Sequence, residues 1–192
     1  MPSAHRRRLG IAVAVVTAVA LAGPAEASAE PCAPAPAQKT FLPWLDVANY
    51  VSAPEGDLES AGSWDLDGGA AVVAGNEPFL VGGADDAASL KLPAGGSATT
   101  SPMCVGLEHP TLRFFAKGPL LGTLKVDAVV DGHALPIGAV VGGGRWAPSL
   151  PLPIVLNTLS LLEQTDVSFR FTPLLGSSWS VDDVYVDPYR TN

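Results

Sequence analysis

From Phe41 onward, short apolar runs alternate with clusters of Gly, Pro, Asp and Asn. Within many of the runs, apolar and polar positions alternate one by one. Leu124, Val126, Ala128 and Val130 fall on one face of a strand. Val167, Phe169 and Phe171 fall on another, with Ser168 and Arg170 opposite. Leu112 and Phe114 alternate with Arg113 and Phe115. A period of two marks half-buried antiparallel strands. The spacing predicts strands over 62–66, 70–74, 89–92, 97–101, 111–116, 123–130, 137–141, 145–150, 167–172 and 178–187. Only Ile154–Gln164 has apolar positions at helical spacing, behind Pro151 and Pro153. Many short strands parted by turn residues predict an all-β chain, an antiparallel β-sandwich with at most one short helix. No internal repeat or low-complexity linker divides it, so residues 41–190 are expected to form a single domain.

The N-terminus follows a different pattern. Arg6, Arg7 and Arg8 precede the apolar run Leu9–Ala22, then Gly23-Pro24 and the small-residue sites Ala25-Glu26-Ala27 and Ala27-Ser28-Ala29. This charged, apolar, small-residue order predicts a cleavable signal peptide over residues 1–29 and a secreted, extracellular product. The run is too short for a bilayer, which takes about 20 residues to span. With no lipidation cysteine and no sorting motif, no membrane anchor is expected after processing. Residues 30–40 form a Pro/Ala-rich arm, expected to be extended.

Export changes the reading of the cysteines. Cys32 and Cys104 are the only two, and an oxidising compartment favours their pairing. Closing a loop of ~70 residues stabilises by roughly 4 kcal/mol in chain-entropy models. Charge adds an exclusion. Loss of Arg6, Arg7, Arg8 and Glu26 takes 11 bases and 19 acids to 8 and 18. That acidity disfavours polyanions, both nucleic acid and anionic surfaces.

Signatures of catalysis are absent: no nucleophile elbow, zinc helix, phosphate loop or dinucleotide fingerprint. His109 and His133 sit in turn contexts, and Asp85-Asp86 reads as a solvated loop pair. Asp65-Leu66-Asp67-Gly68 begins like a calcium loop but has Asn76 where the bidentate Glu belongs. Glu59 and Asp182 are more informative. By strict alternation Asp182 shares a face with Val184 and Val186, and Asp183 shares the other with Val181 and Tyr185. If the valine face is the core, Asp182 points inward and needs a partner. That partner is a hard cation such as calcium, Arg113, Arg170 or backbone N–H groups; otherwise Asp182 lies in solvent at a frayed edge.

Gly56-Asp57-Leu58-Glu59 followed by Trp64, then Ser89–Leu92, Leu112–Lys117 and a closing Trp179-x-Val181-Asp182-Asp183-Val184-x-Val186, resembles the galactose-binding-like jelly rolls. Many carbohydrate-binding modules of xylanases and glucanases belong to that group. The chain departs from the pattern at Leu58, where Phe is usual, and lacks the Asn that often leads the opening turn. It also resembles a group of secreted actinobacterial proteins through Gly75-Asn76-Glu77-Pro78, which implies a fold and no function. The first resemblance implies a jelly roll with a structural calcium on Glu59 and Asp182, and a glycan as partner. Sugar sites set aromatic rings beside polar side chains, and the candidates are Trp146, Trp179 and Tyr185. Trp44 is expected to plug the sandwich end and Trp64 to enter the core. These readings leave a non-catalytic glycan-binding module, a secreted structural or protein-interaction domain, and an enzyme with a carboxylate pair.

Overall fold

The computed structural model describes residues 36–60, 62–106, 109–154 and 165–187. The expected signal peptide, Cys32 and all but the first residue of the expected helix lie outside them. Thirteen strands are assigned among the described residues: β1 Val51–Ser52, β2 Asp65–Asp67, β3 Ala71–Ala74, β4 Ala88–Leu92, β5 Ser97–Thr99, β6 Met103–Val105, β7 Thr111–Lys117, β8 Thr123–Val130, β9 His133–Val141, β10 Ala147–Pro148, β11 Leu152–Pro153, β12 Thr165–Leu174 and β13 Trp179–Val186. They form two antiparallel sheets. One runs β10-β7-β13-β4-β3, with β1 on β13 and β11 on β7; the other runs β2-β5-β12-β8-β9, with β6 on β12.

The inner faces follow the alternation. Leu124, Val126 and Ala128 of β8 and Val167, Phe169 and Phe171 of β12 have no exposed surface. They meet Leu112 and Phe114 of β7 and Leu90 and Leu92 of β4 in the main core. Trp64 enters that core as expected, stacked on Phe171 with ring centroids 6.2 Å apart. Each fully buried side chain of this size contributes roughly 1.5–3 kcal/mol, so the interlocked faces dominate stability.

The outer face of the first sheet is covered as well. A second cluster gathers Phe41, Tyr50, Phe115 and Tyr185. Phe41 stacks on Phe115 at 5.4 Å and meets Tyr50 and Tyr185 edge-on. Trp44, carried by a single 3-10 turn over Leu42–Trp44, packs against Phe115 and Phe79. It therefore lies over the outer face of the sheet rather than plugging the sandwich end. Arg113 holds this layer down: its guanidinium sits 4.0 Å above the Phe41 ring, donates to Ser149 O and pairs with Asp46 at 2.5 Å.

Among the described residues the register shifts twice, on β9 opposite Val126 and Asp127 and, with more consequence for the site, on β13. Asp182 pairs with Phe115, Tyr185 pairs with Arg113, and the register shifts between them. Asp183, at φ 50°, is the extra residue. A bulge of this kind inserts one residue and resets which side chains face which way. Val181 and Val184 thus both reach the main core, while Asp182, in register with Phe115, is on the outer face. The alternation that grouped Asp182 with Val184 and Val186 is corrected accordingly. It also separates Trp179, which joins the main core, from Tyr185, which joins the aromatic layer outside.

Candidate metal centre and clefts

The bulge sets two adjacent carboxylates beneath the loop that joins β3 to β4. That loop carries Gly75-Asn76-Glu77-Pro78 and Asp85-Asp86. Ligand oxygens of Glu77, Asp86 and Asp183 all lie within 4.8 Å of one another. Asp182 and Asp183 have no exposed surface, and Glu77 is 1% exposed. Glu77 folds back over its own loop, accepting from the N–H groups of Phe79 and Val81. Its own N–H donates to Asp182 Oδ2 at 3.0 Å, and Asp183 N–H donates to Asp182 Oδ1 at 3.0 Å.

Glu59 and Asp182, the two acids singled out in the sequence, flank this group rather than forming its centre. Glu59 is exposed and accepts from Ala87 and Ala88 N–H at 2.7 Å each. Those two donors hold its carboxyl below the usual range. Asp182 is held by backbone N–H groups. Arg113 is committed to Asp46 and Ser149, and Arg170 donates to Thr99 Oγ1 at 3.2 Å. Among the described residues no ion pair reaches Glu59, Glu77, Asp86, Asp182 or Asp183.

Crowded acids without counter-charge favour protonation. Burial pushes Asp182 up to about 8, reinforced by the charges of Asp86 and Glu77 against its backbone hydrogen bonds. Burial, then the neighbouring Asp182, pushes Asp183 up to about 8. Asp86 rises to about 6 through burial first, then the neighbouring carboxyl of Glu59 and the charge of Glu77. Four buried oxygens here have no hydrogen-bond donor: both of Asp86, Asp183 Oδ2 and Asn76 Oδ1. Unpaired buried acceptors are costly, and hard oxygen donors of this kind suit a calcium ion. Gly82 leaves the space: a Cβ there would lie 2.7 Å from Asp86 Oδ2 and 3.0 Å from Asp183 Oδ1.

Sequence reasoning missed Glu77 and Asp86. Asp85-Asp86 read as a solvated loop pair, which holds for the exposed Asp85 and not for the half-buried Asp86, and no spacing rule links Glu77 or Asp86 to a residue about 100 positions away. The available signal was the Gly75–Pro78 segment, which marked a tight, specific loop without saying what it faces. The Asp65–Gly68 segment, by contrast, forms the exposed strand β2 and a turn.

The three aromatic candidates for sugar stacking divide. Tyr185 is 3% exposed and Trp179 2%; the aromatic layer covers the first and the main core holds the second, so neither offers a free ring face. Trp146 is half-buried against the aromatic layer. Two clefts open elsewhere. One, of about 410 Å³, lies beside the end of β9 and is lined by Val140, Val141, Arg145, Ser149, Leu150 and Trp179 among others. The other, of about 420 Å³, is lined by Lys91, Lys117, Ser177, Ser178, Trp179 and Ser180 among others. Neither lining includes a carboxylate.

No family model matches the chain, and no curated protein does. Among solved structures it is similar to the CBM22-1–GH10 modules of Clostridium thermocellum endo-1,4-β-D-xylanase 10B, complexed with xylohexaose. Identity is 14%, the TM-score is 0.51, and the match covers 72% of this chain and 28% of that one. It is also similar to the CBM22-1 xylan-binding domain of Paenibacillus barcinonensis Xyn10C, at 13% identity and TM-score 0.49, covering 71% of this chain and 94% of that one. A family 29 carbohydrate-binding module complexed with mannohexaose gives 13% identity and TM-score 0.48, covering 73% and 92%. The chain has the antiparallel sandwich of the galactose-binding-like jelly rolls, the fold of these carbohydrate-binding modules.

Proposed function

We propose that the chain is a secreted, non-catalytic module that binds an extracellular or cell-envelope glycan and is stabilised by calcium. The observation that carries the glycan reading is the cleft beside β9 on a jelly-roll body. It sets Arg145 and Ser149 next to Val140, Leu150 and Leu152. An apolar wall with a few polar groups suits a pyranose, which has apolar faces and a hydroxyl rim.

Calcium would be held by Asp86, Asp183 and Glu77, with Asn76 Oδ1 and the flanking Glu59 and Asp182 completing the acidic surround. When bound it supplies positive charge to a cluster that otherwise repels itself. The Cys32–Cys104 bridge belongs to the same reading: it would tie the arm to β6, where Cys104 lies. An intact mass two hydrogens below the reduced value, on protein recovered from culture supernatant and beginning at Glu30, tests the bridge and export together.

The glycan reading is tested on a glycan array followed by calorimetry. Binding to at least one glycan is expected, weakened about tenfold by Arg145→Ala through loss of charged hydrogen bonds, and weakened also by Trp146→Ala if that half-buried ring borders the ligand. A blank array, or binding indifferent to Arg145→Ala, would reject it. The burial of Trp64, Trp179 and Tyr185 favours a second reading, a protein-interaction domain on the same sandwich. Capture of a defined protein partner with no glycan bound would select it.

A further inference from the structure

The two ends of the sandwich differ in charge. Glu77 and Asp86 of the β3–β4 loop, and Glu59, which accepts from Ala87 and Ala88, lie toward one end, while Asp182 and Asp183 sit midway along β13. At the other, the short 118–122 and 175–178 loops carry the chain from one sheet to the other. Cross-strand pairing of Trp179 with Leu92, Ser180 with Lys117, and Thr123 with both Val141 and Leu174 brings six strand ends together there. Gly144 N–H to Gly118 O and Leu121 N–H to Gly142 O tie the 118–122 loop to the segment that follows β9.

This end holds the 420 Å³ cleft. Two lysines, Lys91 and Lys117, stand in its walls with the hydroxyls of Ser177, Ser178 and Ser180. Leu120 and Leu121 follow one rim and are 75% and 76% exposed; Leu175 precedes the other and is 89% exposed. Leu121 and Leu175 take the left-handed backbone, at φ 62° and 56°, which is uncommon for a residue with a Cβ. Three leucines thus project into water from two separate loops, on either side of a basic cleft. Asp67, at the end of β2, lies at this end on the far edge of the other sheet.

We infer that this end docks on an anionic lipid bilayer, with Leu120, Leu121 and Leu175 entering the acyl boundary and the Lys91/Lys117 cleft receiving a phosphate headgroup. Separate apolar projections suit a fluid layer, into which side chains can sink several ångströms. Lysines close to an anionic surface add attraction that falls off over a Debye length. That length is about 8 Å at physiological salt, and Asp182, Asp183 and Glu77 are buried, so the exposed lysines set the charge that this end presents. The overall acidity, which by itself disfavours anionic surfaces, is therefore a poor guide to this face. Leu42, Leu45, Leu80, Leu135 and Leu150 are exposed too, but none of them lines or adjoins the lysine cleft, and Leu80 belongs to the loop that carries Glu77 and Asp86, whose charge would repel such a surface. The inference uses a different cleft from the glycan reading and stands apart from it.

The test is sedimentation of the mature, calcium-loaded chain with phosphatidylglycerol/phosphatidylcholine vesicles and with phosphatidylcholine alone. Binding to the anionic vesicles is expected, reduced by salt and weak on the neutral ones. Leu121→Ser and Leu175→Ser should each lower partitioning about tenfold. Lys91→Glu and Lys117→Glu should each lower it at least about fivefold. All four variants should keep the wild-type melting temperature. No binding to anionic vesicles, equal binding to neutral ones, or binding unmoved by well-folded variants would overturn the inference. So would a dimer that the leucine variants dissociate in the absence of vesicle binding, which would assign this end to a second copy of the chain.

Discussion

Tyr185 Oη donates a 3.3 Å hydrogen bond to Asp183 Oδ1, two residues back along β13 and across the bulge. Tyr185 belongs to the aromatic layer, and Asp183 belongs to the acidic cluster. One contact thus joins the layer that covers the outer face of the sheet to the group that would hold calcium. Burial and the adjacent Asp183 push the Tyr185 hydroxyl well above its ordinary range, so it remains a donor at any physiological pH.

Calcium should therefore stabilise the whole domain. A ligand at a hundred times its dissociation constant adds about 2.7 kcal/mol. In a domain of this size that raises the melting temperature by roughly 5–10 °C. Scanning calorimetry with calcium and with chelator measures it. Asp183→Asn should raise the melting temperature of the calcium-free protein, because it removes one of the repelling charges, and should abolish the response to calcium. No calcium response in the wild type would remove the proposed site.

The pH dependence of the calcium-free protein follows from the same acids. Folding raises Asp182 and Asp183 from the ordinary carboxylate range to about 8. Between those limits the folded state holds more protons than the unfolded one, so stability falls as pH rises. The decline should begin near pH 4 and level off above pH 8. Calcium should flatten it, because the bound ion compensates the ionised forms. Urea midpoints at several pH values, with and without calcium, check both slopes. Stability that rises with pH across this window in chelator would contradict the arrangement.

The sandwich was largely legible in the sequence, because one buried face per strand writes itself as alternation. The inward faces of Leu124–Val130 and of Val167–Phe171 needed nothing more. What the sequence concealed turns on Asp183. A bulge leaves no mark on a hydrophobicity pattern, and one inserted residue reversed the assignment of Asp182 and parted Trp179 from Tyr185. The β7 strand concealed something else. Arg113 and Phe115 alternate with the core residues Leu112 and Phe114, yet both are buried too because the 41–50 segment folds over them, and a covering segment cannot be inferred from the strand it covers. Of the acidic cluster the sequence marked only the flanks: Glu59 and Asp182 belong to recognisable motifs, whereas Glu77 and Asp86 sit in a loop whose position only tertiary structure fixes.

Arg113 should prove essential to that cover. Its guanidinium bonds Ser149 O, pairs with Asp46 and lies over Phe41. Burial acts to raise Asp46, but hydrogen bonds from Tyr50, Ala48 N–H and Arg113 outweigh it and hold that carboxyl below its ordinary value. Arg113→Met keeps much of the volume but strands Ser149 O and Asp46, a loss of about 2–3 kcal/mol. Urea unfolding measures it. An unchanged midpoint would show that the arm is held by aromatic packing alone.

Gly82 offers a way to separate the shape of the proposed calcium site from its charge. The glycine contributes no ligand atom from a side chain, yet a Cβ at its position would approach Asp86 Oδ2 to 2.7 Å and Asp183 Oδ1 to 3.0 Å. Carboxylates end flexible side chains and can swing away, so Gly82→Ala should fold with nearly wild-type stability in chelator. Swinging away, however, disperses the oxygens that calcium needs at 2.3–2.6 Å. The variant should therefore keep all five carboxylates and the pH slope they produce while losing most of the calcium-induced rise in melting temperature. Retention of the full calcium response would mean that the ion binds away from the Asp86/Asp183 pair, and the ligand set would have to be redrawn around Glu59 and Asp182.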